Sequence, residues 1–192
     1  MFKADLGYVA TAPVEPVQPT DAIRLHVGGK ERRKGWKILN IQPGPEVDFV
    51  GDCTDLSHFP DNSIAEIYAS HVYEHLGYQK ELPKAIASVY RVLRPGGIFR
   101  VGVPDLDTLC KLFVHPTLTL NDKIHVMRMI YGGQMDSYDF HKVGLSFELF
   151  GSYLHRAGFK RIKRVDQFGL FKDCSTIVFA TVCISLNIEA TK

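Results

Sequence analysis

Ile67-Tyr68-Ala69-Ser70-His71-Val72-Tyr73-Glu74-His75, then Arg91-Val92-Leu93-Arg94-Pro95-Gly96-Gly97, then Ile98-Phe99-Arg100-Val101-Gly102-Val103-Pro104-Asp105 decide the fold. An apolar run ends in polar residues. Between it and the next run, residues 80–93 place Leu82, Ala85, Ile86, Val89 and Leu93 at helical spacing. Pro95-Gly96-Gly97 stops that helix before a second apolar strand begins. The reading is strand, helix, strand, and such units open a ligand crevice at the carboxyl ends of their strands.

Working outward, Ile23–Val27 reads as a first strand closed by Gly28-Gly29. Trp36–Ile41 is a second, halted by Pro43-Gly44-Pro45, and Val47–Gly51 is a third. With residues 65–70 as the fourth and 98–103 as the fifth, strands one, four and five are expected at the centre of an α/β sheet. Residues 28–36 and 42–46 are short for connections between parallel strands, which usually take about a dozen residues or more. The crossovers after strands one and two are therefore abbreviated, and one face of the sheet needs another cover.

Beyond Pro104, residues 105–113 and 121–131 look helical. Gly132-Gly133 breaks the run, and residues 135–144 are polar and aromatic without periodicity. Ser146–Ala157 is a last helix, with Ser146 as its cap and Gly158 just past its end. Residues 159–168 and 176–188 are expected as an antiparallel hairpin at a sheet edge, with Val165 and Phe179 in one sheet. Residues 1–22, with Pro13, Pro16 and Pro19, read as an N-terminal arm and a candidate cover for the open face. Residues 23–192 then form a single domain with a substrate-side insertion around 105–145.

Composition bounds the function. With 45% hydrophobic and 23% charged residues, the 192-residue chain suits a single folded domain, and a net charge of +2 does not by itself argue for nucleic acid. No apolar run spans a bilayer and no secretory signal is visible. Cys53, Cys110, Cys174 and Cys183 form no Cys-x-x-Cys pair, so free thiols in a reducing cytoplasm are expected, and no metal ligands are assigned.

The unit from Ile67 to Asp105 strongly resembles the second half of a class I S-adenosylmethionine-dependent methyltransferase domain of the type 11-like group. The resemblance extends over residues 23–188. It implies a Rossmann-like sheet with helices on its faces, and S-adenosylmethionine as cofactor. It also implies three contacts from the first strands: a Gly-x-Gly turn near the methionine part, a polar residue after strand two for the ribose, and a carboxylate after strand three for the adenine. Here the turn is Gly28-Gly29-Lys30, with His26 where an acid or amide is common. Lysine tolerates positive φ poorly, although its ammonium suits the cofactor carboxylate. Gly35-Trp36 is present, and the expected acid falls on Asn40, with Gln42 as a substitute on the same strand face. Asp52 and the Cys53 amide match the adenine position, and Phe59-Pro60-Asp61-Asn62-Ser63 matches the turn after it. Each of these also has a plain structural role open to it: turn, strand end, or cap.

Ser70-His71 ends strand four where the family faces the transferable methyl. His71 is a candidate general base or a packing residue of the cofactor pocket. Asp139 and His141, two apart in an extended segment, are a candidate carboxylate–imidazole pair for deprotonating an acceptor hydroxyl. The segment 132–144 resembles a bacterial methyltransferase subgroup associated with surface polysaccharide synthesis, which implies a sugar hydroxyl or other small acceptor. Lys30-Glu31-Arg32-Arg33-Lys34 is a basic cluster that suits an anionic substrate or a solvated loop. Two further readings stay open. One is a methyltransferase-like fold with a degenerate cofactor site, acting as a binding or accessory module. The other is a zinc hydrolase, from the His-x-x-Glu-His spelling of 71–75, against which His71 stands at a strand end.

Overall fold

The computed structural model describes residues 23–192. The expected N-terminal arm lies outside the described residues. Seven strands form one sheet in the order β3-β2-β1-β4-β5-β9-β6: β1 Ile23–Val27, β2 Trp36–Asn40, β3 Phe49–Val50, β4 Ile64–Ser70, β5 Leu93–Pro104, β6 Lys160–Val165 and β9 Ser185–Thr191. Strands β1 to β5 are parallel, and β9 runs antiparallel to both β5 and β6. The sheet is α/β with β1, β4 and β5 inside it, as the sequence implies. Helix α1 spans Glu81–Val92 and buries Leu82, Ala85, Ile86, Val89 and Val92 on one face of the sheet. Leu93 is fully buried but extended, so it opens the strand rather than closing the helix.

The C-terminal segments pair antiparallel at the edge through β6 and β9, but the second segment is divided. Val178–Phe179 (β7) and Val182–Cys183 (β8) make a separate two-stranded ribbon. Val165 and Phe179 therefore lie in different sheets, against expectation. Ala180 and Thr181 turn the ribbon at φ 47° and 69°, and neither is a residue that signals such a turn.

Helix α4 (Phe147–Ala157) packs Phe150 and Leu154 beside α1. Ser146 Oγ accepts from the Leu149 amide at 3.2 Å, and Gly158 ends the helix in the left-handed conformation. Helices α2 (Leu106–Phe113) and α3 (Leu120–Tyr131) form a smaller cluster through Leu109, Leu112 and Val126, closed by Ile184. Each fully buried aliphatic side chain of this kind contributes about 1.5–3 kcal/mol.

The other face of the sheet answers the problem of the short crossovers. Residues 166–176 fold over it. Phe171 packs on His26 at 4.1 Å, on Tyr68 at 4.9 Å and on Trp36 at 5.4 Å between ring centroids. Tyr68 donates to Asp173 at 2.6 Å. Arg33, from the β1–β2 loop, donates to the Leu170 carbonyl and covers the Phe171 ring. Farther along this face a charged ladder crosses the strands: Arg24 to Glu66, Glu66 to Arg100, Arg100 to Glu189 at 2.8 Å, and Glu189 to Lys163 at 2.7 Å. Among the described residues, no helix is long and apolar enough to cross a membrane.

Candidate functional site

A cleft of about 570 Å³ opens at the carboxyl ends of β1, β2 and β4. Gly28, Lys30, Asn40, Gln42, Asp52, Cys53, His71, His75 and Asp139 all contribute to its wall. Residues far apart in the sequence meet here because parallel strands end on the same side.

Gly28 has φ +74°, and a Cβ there would stand 2.5 Å from Val72 Cγ2. Only glycine lets the β1 turn pass under the strand-four loop. Its amide donates to the Leu39 carbonyl at 2.8 Å. Gly29 lies behind the cleft wall, where a Cβ would meet the His26 ring at 2.6 Å. Lys30 is exposed on the rim and is not among the residues with positive φ, so lysine meets no backbone penalty there. Asn40 is nearly buried. Its Nδ2 donates to the Gly29 carbonyl at 3.1 Å, and its Oδ1 accepts from the Gln42 amide at 3.0 Å. Asn40 thus ties the β2 end to the glycine turn, and Gln42 is the exposed polar side chain beside it.

Asp52 is exposed, and its Oδ1 accepts from the Thr54 amide at 2.7 Å. The capping role and the cleft-facing role coexist, because the second oxygen is not used by that turn. Cys53 is buried, and burial, with Asp52 beside it, pushes its thiol up to about 12. It is no nucleophile. Of the basic cluster, Arg32 donates to the Pro45 carbonyl and Arg33 holds Leu170, which leaves Lys30 and Lys34 exposed.

Ser70 is half-buried and does not line the cleft, although His71 and Val72 after it do. His71 adopts φ +53°. Its Nε2 lies 2.9 Å from Ser185 Oγ, whose own proton goes to the Cys174 carbonyl at 2.7 Å. His71 must therefore carry its proton on Nε2, and Nδ1 faces Glu74 Oε1 at 3.5 Å. Burial lowers His71 to about 4 and raises Glu74 to about 8. Both are neutral at pH 7, so their contact is not an ion pair.

Asp139 and His141 do not pair. The Asp139 carboxylate turns back on its own loop, beside Gly133 and within 3.3 Å of the Met135 amide. Gly132, at φ +85°, allows that fold, since a Cβ would meet the Asp139 carbonyl at 2.1 Å. His141 Nδ1 lies 3.0 Å from the Met129 carbonyl, and His75 Nδ1 lies 3.1 Å from the Phe140 carbonyl. A carbonyl only accepts, so both rings carry the proton on Nδ1 and keep the lone pair on Nε2, which in His141 faces Glu74. The carboxylate near His141 is Glu74, at 4.0 Å from Nε2. Burial, with His75 alongside, lowers the His141 pKa. The Lys142 amide donates to the Glu74 carbonyl at 2.8 Å, which fastens the loop to the 73–75 turn. The sequence reading named Glu74 only within the His-x-x-Glu-His spelling and not among the catalytic groups, because its partner His141 stands in a loop far along the chain. The turn carrying Glu74 and His75 is a single 3₁₀ turn, not the helix a His-x-x-Glu-His hydrolase needs.

Residues 30–101 match the family model described as a methyltransferase domain, less than half of the chain. No curated protein matches the chain. Among solved structures, a SAM-dependent methyltransferase from Archaeoglobus fulgidus superposes with TM-score 0.55 at 18% identity, over 88% of this chain and 86% of that one. A Thermotoga maritima SAM-dependent methyltransferase described as a possible histamine N-methyltransferase gives 0.52 at 16% identity, over 88% and 81%. Human N-acetylserotonin methyltransferase in complex with SAM gives 0.52 at 15% identity, over 89% of this chain and 47% of that one. The fold of this chain is the Rossmann-like fold of S-adenosylmethionine-dependent methyltransferases.

Proposed function

We propose that this chain is a cytoplasmic S-adenosylmethionine-dependent methyltransferase that methylates a hydroxyl of a small acceptor, a sugar being the favoured class. The observation that carries the reading is one cleft lined by Gly28 at positive φ, the Asp52 carboxylate and residues 136–140 and 142 of the loop, with His141 just behind that wall. The residues present fit the cofactor. Gly28 and Gly29 give a turn free of side chains, with the Lys30 ammonium on the rim for a carboxylate. Gln42, braced through Asn40, would take the ribose. Asp52 and the Cys53 amide would take the adenine, and His71 would stand beside the methyl, with Ser70 behind it outside the cleft. When bound, S-adenosylmethionine supplies a methyl group on a sulfonium leaving group.

The chain must then orient the acceptor in line and exclude water. An alcohol is a poor nucleophile, so a base helps as the carbon–oxygen bond forms. His141 is the base on this reading, with its inward lone pair, and Asp139 shapes the loop that carries it. His71 bonds Ser185 through its Nε2–H and turns its Nδ1 lone pair to Glu74, so the ring acts as pocket floor. The sugar class is supported by the resemblance of residues 132–144.

Calorimetric titration with S-adenosylhomocysteine tests this. Micromolar-range binding is expected, and Asp52→Ala should weaken it by about tenfold or more, the worth of one hydrogen bond to a charged group. Silence of the wild type at millimolar ligand favours the second reading, a binding module. The use of the Asn40 amide within the protein speaks for that alternative.

A further inference from the structure

Glu74 is the least expected residue of the fold. It is 1% exposed, and neither carboxyl oxygen has a hydrogen-bond partner. A buried polar group left in that state costs about 1–3 kcal/mol, and more when it is charged. Apolar neighbours would be cheaper, so the carboxyl calls for an occupant opposite it. Two imidazoles stand there. Glu74, His75 and His141 each offer a ligand atom, and these atoms all lie within 4.8 Å of one another. The rings are edge to face, with centroids 4.9 Å apart.

The orientation of the rings matters more than their proximity. Both give Nδ1–H to a backbone carbonyl, Phe140 for His75 and Met129 for His141. That is the arrangement by which proteins fix the tautomer and aim of a metal-ligating histidine. The single proton of a neutral Glu74 can satisfy only one of the imidazole lone pairs gathered beside it. A cation relieves all three side chains at once.

We propose that Glu74, His75 and His141 form a binding site for a divalent transition-metal cation of the zinc class, with its open position toward the cleft. Two nitrogens and one carboxylate oxygen suit zinc or cobalt, and do not suit magnesium, which prefers oxygen ligands. Ligand atoms on one tetrahedral cation sit about 3.3 Å apart, given bonds near 2.0–2.2 Å. The 4.0 Å between His141 Nε2 and Glu74 Oε1 closes to that by small side-chain rotations. Of the three, His75 alone lines the cleft, and a cation held against it would have its fourth position on that side. Three protein ligands with an open fourth position is the arrangement of a reactive metal site rather than a structural one. The site stands on these three side chains and not on methyl transfer, and where it is occupied the His141 Nε2 lone pair is a ligand and no longer a base for the acceptor.

The test uses tag-free full-length protein stripped with a chelator and then dialysed free of it. Zinc is titrated by calorimetry, and cobalt by its visible absorption. One equivalent at micromolar or tighter affinity is expected, with the intense visible bands of four-coordinate cobalt. Glu74→Gln, which keeps the shape and removes the charge, should weaken zinc by about a hundredfold, and so should His141→Ala. Magnesium should not compete. If either variant fails to fold, the half-exposed His75→Ala takes its place. Absence of zinc binding by the folded wild type overturns the proposal. So does binding of equal strength in the wild type and in every folded variant, which would place the metal elsewhere. Titration of S-adenosylhomocysteine on the same samples reports the cofactor reading separately, since Asp52 and Gly28 are untouched.

Discussion

His26 and His141 are both imidazoles withdrawn from water, but their surroundings differ in kind. His26 lies on the covered face of the sheet, 5% exposed, between Phe171 and Tyr68. Its Nδ1 has no hydrogen-bond partner, and the ring serves as an aromatic wall behind Gly29. His141 lies on the substrate side, where a backbone carbonyl fixes one nitrogen and the other looks at Glu74. In the first region the chain has spent a titratable group on packing. In the second it has gathered titratable groups and left them short of partners. Burial alone therefore does not separate scaffold from chemistry. What separates them is whether the polar atoms converge on a common space.

The largest expected effect tests the scaffold side. Burial lowers His26 to about 4 from 6.5, against the opposing pull of Asp173. Tyr68 and Phe171 pack against it, and Arg33 lies on the far side of Phe171. The unfolded chain takes up a proton near 6.5 and the folded chain does not until near 4. The unfolded state binds more protons between these values, so stability falls as pH drops through that window. The full span costs about 3 kcal/mol. Urea unfolding at pH 7 and pH 4.5 should show a smaller acid loss in His26→Phe than in the wild type. An identical loss in both would mean that the ring is charged or wet in the folded state.

The reactive side is tested by turnover. On a confirmed acceptor, His141→Ala should lower single-turnover rate by about a hundredfold or more, with affinity for S-adenosylhomocysteine nearly unchanged. His71→Ala should weaken the cofactor as well as the rate. His71 is anchored by the Gly102 carbonyl at 2.8 Å and by Ser185, and the neighbouring Val72 presses on Gly28. Full rate in His141→Ala would make the loop histidine structural, and leave His71 or simple proximity to carry the reaction.

The difference between the regions also explains what the sequence makes legible. Helix α1 and strands β4 and β5 are readable because period and punctuation agree: five apolar residues at helical spacing, then Pro95-Gly96-Gly97. The Asp52 turn is readable because an aspartate there caps its own loop whatever else it does. The cover over His26 is not readable. Residues 169–175 look like a link, and only three-dimensional closure shows Phe171 filling the place of the missing crossover helices. The β7–β8 ribbon hides for a local reason, since Ala180 and Thr181 adopt a turn normally signalled by glycine or asparagine. Asp139 attracts attention by its spacing from His141, while Glu74 reaches the same imidazole from another loop. A pairing set by tertiary contact carries no period.

The smallest expected effect bears on the glycine turn that lies between the two regions. A lysine in place of the second glycine looks disabling in the sequence, because lysine crowds the turn and resists positive φ. The structure removes that objection, since positive φ falls on Gly28 and not on Lys30. The turn is held by the Gly28 amide on Leu39 and by Asn40 on the Gly29 carbonyl, and neither bond involves the side chain at 30. Lys30→Gly should therefore leave the fold intact and change S-adenosylhomocysteine affinity by no more than about threefold, the worth of one solvent-screened ion pair to the cofactor carboxylate. Calorimetry of the two proteins side by side decides it. A loss of tenfold or more would mean that the ammonium pairs with that carboxylate out of water. Binding that is absent in the wild type and present in Lys30→Gly would make this lysine the lock on a degenerate site, and the chain a binding module that one substitution returns to its cofactor.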